Sequence, residues 1–359
     1  MMIASLQLDH LYKYPEVMWA KPVSDRWVFL CDALRQYDPP FGKLMFPRER
    51  KWELVSAFQK SIRRGEKQIA LRLISAMDSM PQECAYFWRR ICVIACEDVG
   101  PADDTLAAFV VACSTVFPPR KTGSKNYDLL CFLAEQMCDL TTRSRIYCSY
   151  GTIEPAAMKS ELPQLGAEDK LVVSAIMQRR TAVQVPTDSW REWQRKNDWR
   201  AEGLLRFVGL RLPLEMTTVQ TPLPPYKMLF DLPSYCYDVH TRVGLAMLKR
   251  LVQGVEGAEG LRELFQENKI KGAHRAVGET LFTVEGGRIQ GELIYEPLCC
   301  LEQRLFAHQF GLPLNKWVEL RVLVEKALAE GVIDRIREDV LHQFYGQEFC
   351  NQIAPARDA

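Results

Sequence analysis

Leu54-Val55-Ser56-Ala57-Phe58-Gln59-Lys60-Ser61-Ile62-Arg63-Arg64-Gly65 is the stretch on which the fold of this 359-residue chain turns. Leu54, Phe58 and Ile62 recur every fourth residue with Val55 alongside, which predicts a helix with one apolar stripe. Gly65 predicts its end, because glycine takes the left-handed conformation of a helix C-terminus without a Cβ penalty. Further along, a second helix is expected over about Lys67 to Met80, with Ile69, Leu73, Ile74 and Met77 inward. Pro81 opens a third, carrying Tyr86, Phe87, Ile91, Ile94 and Ala95 and ending near Val99-Gly100-Pro101. Asp103 or Asp104 can cap a fourth that runs to Val116. Pro118 to Ser124 reads as a basic loop, and Tyr127 to Cys138 as a fifth helix.

On the N-terminal side, residues 1–47 read as a capping segment with Trp19, Trp27, Phe29 and Leu30 as packing anchors. Asp38-Pro39-Pro40-Phe41-Gly42 breaks the chain before the helices begin. On the C-terminal side, Gly151 to Gly166 reads as a linker, followed by helical patterning over Glu168–Arg180 and Trp190–Arg200. Five prolines in 211–233 argue for a crossing loop. Helices are expected at about 239–252, 261–268, 297–310, 316–328 and 333–344. Thr280-Leu281-Phe282-Thr283-Val284, Glu285-Gly286-Gly287 and Arg288 to Tyr295 read as a β-hairpin. The expected fold is mainly α: a helical module at 48–152, a second helical domain at 153–350 with one hairpin near 280–295, and a loose tail at 351–359.

Composition narrows the function classes. Hydrophobic residues at 48% and charged residues at 25% are the balance of a globular protein with a large core. With 46 basic and 45 acidic side chains the net charge is +1, so no global field draws the chain to nucleic acid or an anionic membrane. No apolar run reaches the length of a membrane span, and the N-terminus lacks the pattern of a secretory signal. The twelve cysteines include no C-x-x-C, and Cys92 and Cys96 sit on one apolar helix face. They read as core residues of a protein in the reducing cytoplasm. His10, His240, His274, His308 and His342 are scattered, so no metal site or cofactor is expected.

The order of motifs in 50–150 carries a resemblance. Ser56-Ala57-Phe58-Gln59-Lys60-Ser61-Ile62-Arg63-Arg64-Gly65 is followed by Ala70-Leu71 and Met77. Then come Trp88-Arg89-Arg90-Ile91, Ile94-Ala95-Cys96-Glu97-Asp98-Val99-Gly100 and Ala102-Asp103. Arg143-Ser144-Arg145 and Tyr147 extend the match more weakly. This segment resembles the C-terminal helical module of the MgsA/RarA family of AAA+ ATPases, the Werner-helicase-interacting ATPase of eukaryotes. The resemblance implies a clamp-loader-collar-like module that self-associates beside a motor acting at stalled replication forks. It departs at Arg64-Gly65, where the family runs Gly-Ser-Asp, and at Ala70-Leu71-Arg72-Leu73-Ile74. The nucleotide loop G-x-x-x-x-G-K-[ST] is absent from the chain, so the motor's chemistry does not carry over.

Three clusters invite functional readings. Lys60, Arg63, Arg64, Arg89 and Arg90 would contact phosphate or a partner if they face outward, and would be structural if they pair with acids such as Glu97 and Asp98. Trp190, Arg191, Trp193, Arg195 and Lys196 put aromatics and cations on one helix, the equipment for single-stranded nucleic acid or an ordinary half-buried helix. Asp238, His240 and Arg242 could be acid–base equipment, or simply an N-cap and a junction. The leading expectation is a non-catalytic, homo-oligomeric accessory protein of DNA replication or repair, of the kind a virus also encodes. It would dock on a replisome or AAA+ partner. The alternatives are direct DNA binding through Trp190–Arg200 and an enzyme using Asp238, His240 and Arg242.

Overall fold

Helix α1 (Ser5–Trp19) and helix α2 (Asp25–Arg35) form most of the N-terminal segment of this computed structural model. The structure describes residues 5–19, 23–39, 46–78, 80–118, 127–146, 166–167, 170, 204–205, 208, 215–268, 270 and 272–353. Trp27 and Leu30 are buried as expected, and the Trp27 ring meets Phe109 edge-on at 5.1 Å. Burying side chains of this size contributes about 1.5–3 kcal/mol each. Phe29 is not an anchor: it is 56% exposed, on the opposite face from Trp27. The side chain of Trp19 lies outside the described residues.

The module follows its periodicity. Helix α3 (Lys51–Arg64) ends in a Schellman motif, with Gly65 at φ 68°, Gly65 N–H on the Ile62 carbonyl and Glu66 N–H on that of Ser61. A Cβ at Gly65 would come within 2.2 Å of Gln290 Oε1, so the turn is packed as well as strained for any other residue. Helix α4 (Lys67–Asp78) follows, and a 3₁₀ turn at Pro81–Glu83 leads into α5 (Cys84–Ile94). A π-turn at Ala95–Val99 carries Asp98 inward. Asp103 is the cap of α6 (Asp104–Val116), accepting from Leu106 N–H at 2.8 Å. From Leu106 to Cys113 every α6 residue is buried, the pattern of a helix surrounded on all sides by its neighbours. Helix α7 (Tyr127–Cys138) packs on α3 and α4.

The C-terminal region has α8 (Arg242–Gly254), α9 (Glu259–Asn268), α10 (Ala273–Leu281), α11 (Glu296–Gln309), α12 (Leu314–Ala329) and α13 (Val332–Ile353), the last kinked at Gly346. The fold is thus mainly α. Among the described residues its strands form two small antiparallel sheets. β1 (Thr217–Val219) pairs with β4 (Glu292–Ile294), Thr218 opposite Leu293. β2 (Met228–Leu229) and β3 (Leu232–Pro233) make a true hairpin, turning through Phe230 (φ 52°) and Asp231 (φ 65°) in the manner of a type I′ turn.

The hairpin expected at 280–295 is corrected. Residues 273–281 are α-helical and Phe282–Gly286 form a π-turn; β4 alone is extended, and its partner is β1. The helix wins because it buries Ala276, Val277, Thr280 and Leu281 together. Thr280 Oγ1 bonds the Ala276 carbonyl at 2.8 Å and Thr283 Oγ1 that of Thr280 at 2.7 Å, so both hydroxyls are satisfied inside helical turns. The two expected domains also share one contiguous hydrophobic core. Helix α3 contacts both, through α4, α5 and α7 on one side and through β3 and the turn at Ser234–Cys236 on the other.

Candidate functional site

Helix α3 brings Gln59, Lys60, Arg63 and Arg64 to the seam between the module and the C-terminal region, and all four are buried. Lys60 Nζ is 2.7 Å from Asp238 Oδ2 and donates to Ser56 Oγ at 2.6 Å. Arg63 Nε donates to Asp98 Oδ1 at 2.5 Å and Nη1 to the Gly286 carbonyl at 3.3 Å. Its guanidinium lies 5.0 Å from the Phe282 ring centre. Gln59 Nε2 donates to the other Asp98 oxygen at 2.7 Å, and Gln59 Oε1 accepts from Arg90 Nη2. Arg64 Nε bonds Glu66 at 2.7 Å and Nη2 the Pro224 carbonyl at 2.7 Å, between the rings of Tyr226 and Tyr235.

Of the two readings of these cations, Lys60, Arg63 and Arg64 follow the structural one, paired with acids, and not the outward-facing contact. In a low-dielectric seam a cation must be matched, and each of these is matched within the chain. Arg89 is exposed and Arg90 half-buried, so only these two of the module's five candidates reach solvent. Trp190, Arg191, Trp193, Arg195 and Lys196 lie outside the described residues.

Asp238, His240 and Arg242 do not converge as a set. Asp238 is buried against Lys60, and its Oδ1 accepts from His240 N–H at 3.0 Å and lies 3.2 Å from His240 Nδ1. The His240 side chain is 48% exposed, with Phe282 edge-on at 5.2 Å. Arg242 turns away, its guanidinium 5.5 Å from the Phe344 ring centre. The N-cap of α8 is Thr241, which accepts from Gly244 N–H at 3.1 Å; Asp238 sits one turn earlier and does not cap. Gly286 leaves room for the seam, since a Cβ there would meet Lys60 Cε at 2.7 Å and Asp238 Oδ2 at 3.2 Å.

Two further buried arginines complete the frame: Arg337, which the sequence did not single out, and Arg143, which entered only through the motif resemblance. Arg337 grips Glu285 with both terminal nitrogens at 3.0 and 2.6 Å, and also bonds Asp334 and the Tyr237 carbonyl. Asp334–Arg337 is legible as an i, i+3 helix pair; Glu285 had been assigned to a turn. Arg143 holds carbonyls instead, donating to Met137, Cys138 and Gln290. A cavity between Arg145, Glu292, Cys299 and Glu302 measures about 10 Å³, space for one water. Among the described residues no group of His, Cys, Asp and Glu is arranged to hold a metal ion.

The acids near the seam are tuned in opposite directions. Burial alone would raise the pKa of Asp238, but the charges of Lys60 and His240 and their contacts hold it well below the carboxylate range. Glu279 is pushed up to about 8 by burial, then by the charges of Asp238 and Glu302. Part of this residue reaches the surface, but its Oε2 is sealed from solvent without a hydrogen-bond partner. A raised acid binds its proton in the folded state first, so its stabilising effect is complete below its ordinary value of 4.5 and fades as pH rises through about 8. Asp238 acts oppositely: its contribution is present above its ordinary value of 3.8 and fades as pH falls. Urea unfolding should show a stability maximum in acidic solution and a decline that runs from the ordinary value of 4.5 up to about 8 and levels off above it. Glu279→Gln should flatten that decline and leave the acid limb intact; an unchanged alkaline limb would refute the assignment.

No family model, characterised protein or solved structure matches the chain. No helix among the described residues is long and apolar enough to cross a membrane.

Proposed function

We propose that the chain is a non-catalytic, self-associating accessory protein of DNA replication or repair that docks on a replisome or AAA+ partner. The observation that carries the interaction part is a division of labour between inside and outside. Lys60, Arg63 and Arg64 are spent on intramolecular pairs in the seam, while large apolar side chains are left on the surface at Phe29, Trp52, Leu314, Val318 and Val322. Its place in replication rests on the motif order of residues 50–150. The absence of a convergent catalytic set at Asp238, His240 and Arg242 favours assembly over chemistry.

Sedimentation velocity of the full chain, alone and mixed with the purified AAA+ ATPases of its source cell, tests this. Concentration-dependent oligomers and a faster co-sedimenting complex are expected. A monomer at every concentration with no complex would overturn it.

One observation favours a second reading, direct binding of single-stranded nucleic acid. Trp52 is 50% exposed beside Tyr86, whose ring is 5.5 Å away, with Lys51 Nζ 4.8 Å from the Trp52 ring centre. Arg48 is exposed in the 3₁₀ turn Arg48–Arg50 that precedes α3 and Arg89 on α5, although Glu83 pairs with both Arg48 and Lys51 at 2.9 Å. Base stacking on such a ring contributes about 1–3 kcal/mol. If this surface binds, Trp52→Ala weakens binding of a fluorescent oligonucleotide by fivefold or more at low salt. Undetectable binding by the unaltered protein removes the reading.

A further inference from the structure

Helix α12 buries Trp317, Leu320, Val324 and Ala327 against its neighbours, yet it is not polar on its other side. Leu314, Val318 and Val322 are 45%, 48% and 58% exposed. At about 100° per residue these three and Ala329 fall within an arc of about 80°. Leu314, Val318 and Val322 form a continuous row over about two turns, with Ala329 two turns further on, unlike the scattered exposed apolar side chains normal on a monomer. Glu325 lies within the same arc, and its carboxylate is drawn aside to Arg321 at 3.0 Å.

We propose that this row is the surface through which two copies of the chain associate, α12 packing antiparallel on α12 of the second copy about a two-fold near Val322. The charges beside the row select that occupant. In an antiparallel pair each flank of one helix meets the same flank of the other. On one flank Glu319 then stands opposite Lys326 of the second copy. On the other, Arg321 stands opposite Glu325 of the second copy. Val322 meets itself at the centre, and Val318 packs between Glu325 and Ala329 of the second copy. All four charged side chains are at least 40% exposed; Glu319, Arg321 and Lys326 are paired with near neighbours on the same chain segment, while Glu325 also reaches Arg288 at 3.9 Å and would exchange that contact for the second copy. Antiparallel helices also oppose their dipoles favourably. A surface of this kind discourages other occupants, because a partner helix would need the same alternation of signs in reverse order.

The contact is small. A 16-residue helix is about 24 Å long, and a single helix pair falls at the low end of specific interfaces. Association is therefore expected to be reversible, with a dissociation constant on the order of micromolar. The interface also lies outside 50–150, the segment whose resemblance implies self-association.

The proposal rests on the self-association part of the proposed function, and the experiment separates the two. Sedimentation equilibrium is run on the unaltered chain, on Val322→Glu, and on the double variant Glu319→Lys with Lys326→Glu. These side chains face solvent, so thermal melts should match the parent. Val322→Glu should weaken dimerisation tenfold or more. The charge exchange, which preserves complementarity in the antiparallel pair, should leave it nearly unchanged, whereas Glu319→Lys alone should weaken it. In Val322→Cys, oxidation should give a cross-link mapped by peptide mass spectrometry to residue 322 of both chains. An oligomer that tolerates Val322→Glu and gives no such cross-link overturns this interface while leaving self-association intact. A monomeric parent at every concentration overturns both.

Discussion

Asp98→Ala is expected to destabilise the protein by about 3–5 kcal/mol, the cost of leaving a buried guanidinium without its counter-charge. Asp98 is fully buried, accepts from Arg63 on one oxygen and from Gln59 on the other, and its carbonyl accepts from Ser144 N–H at 3.1 Å. Removing the carboxylate strands Arg63 under the Phe282 ring and frees Gln59 from one of its two partners. The double variant Arg63→Met with Asp98→Leu should recover most of the loss, since neither partner is then a lone buried charge. Urea midpoints of the two single variants and the double variant give the coupling directly. If Asp98→Ala costs less than about 1 kcal/mol, the typical magnitude of an exposed pair, the seam is not dry. The same geometry disqualifies Arg63→Glu as a probe of self-association. It would place a second acid against Asp98 and report on folding alone.

The second large effect is expected at Gly244, inside the first turn of α8. An added Cβ there would lie 1.9 Å from the carbonyl oxygen of Asp238 and 2.4 Å from its carbonyl carbon and amide nitrogen. Elsewhere in a helix, glycine to alanine gains up to about 1 kcal/mol through backbone entropy. Here the sign reverses, because the obstacle is backbone and cannot rotate aside. Gly244→Ala is expected to cost about 3 kcal/mol or more, at the diagnostic end of single substitutions. Gly260→Ala is the control: its Cβ meets only the terminal methyls of Leu323 from 2.9 Å outward, and its effect should be slight. The Gly244 clash should also push Asp238 off Lys60. Combined with Lys60→Met it should cost less than the two effects added.

How far the sequence foretold this can be judged residue by residue. The helices of the module were legible because Leu54, Phe58 and Ile62 repeat at helical spacing and Gly65 and Asp103 end and begin their elements as such residues do. The hairpin was misread because Thr280, Thr283 and Val284 favour strands by propensity and a Gly-Gly pair follows them. Burial against α8 and α12, together with threonine bonds to the preceding turn, overrode that preference. Lys60, Arg63 and Arg64 could be seen; of their partners only Asp98 and the adjacent Glu66 were near enough in sequence to be legible. Asp238, Gly286 and Pro224 are distant in sequence, and no local pattern links them to α3. The exposed row at Leu314, Val318 and Val322 was not read from the sequence, where this segment was expected only as a helix over about 316–328.

The seam has a consequence for biosynthesis. Arg63 is separated by 223 residues from Gly286, whose carbonyl it holds. At about 5–20 residues per second, a ribosome takes roughly 10–45 s to supply that stretch. During this interval α3 has emerged with Lys60 and Arg64 still awaiting Asp238 and Pro224. The nascent module must either remain loosely assembled or lean on the folding machinery of the cell until the later residues arrive. Synthesis of this chain therefore delays its own closure, and codon changes that slow translation between 150 and 290 should lower the yield of folded protein without altering a single residue.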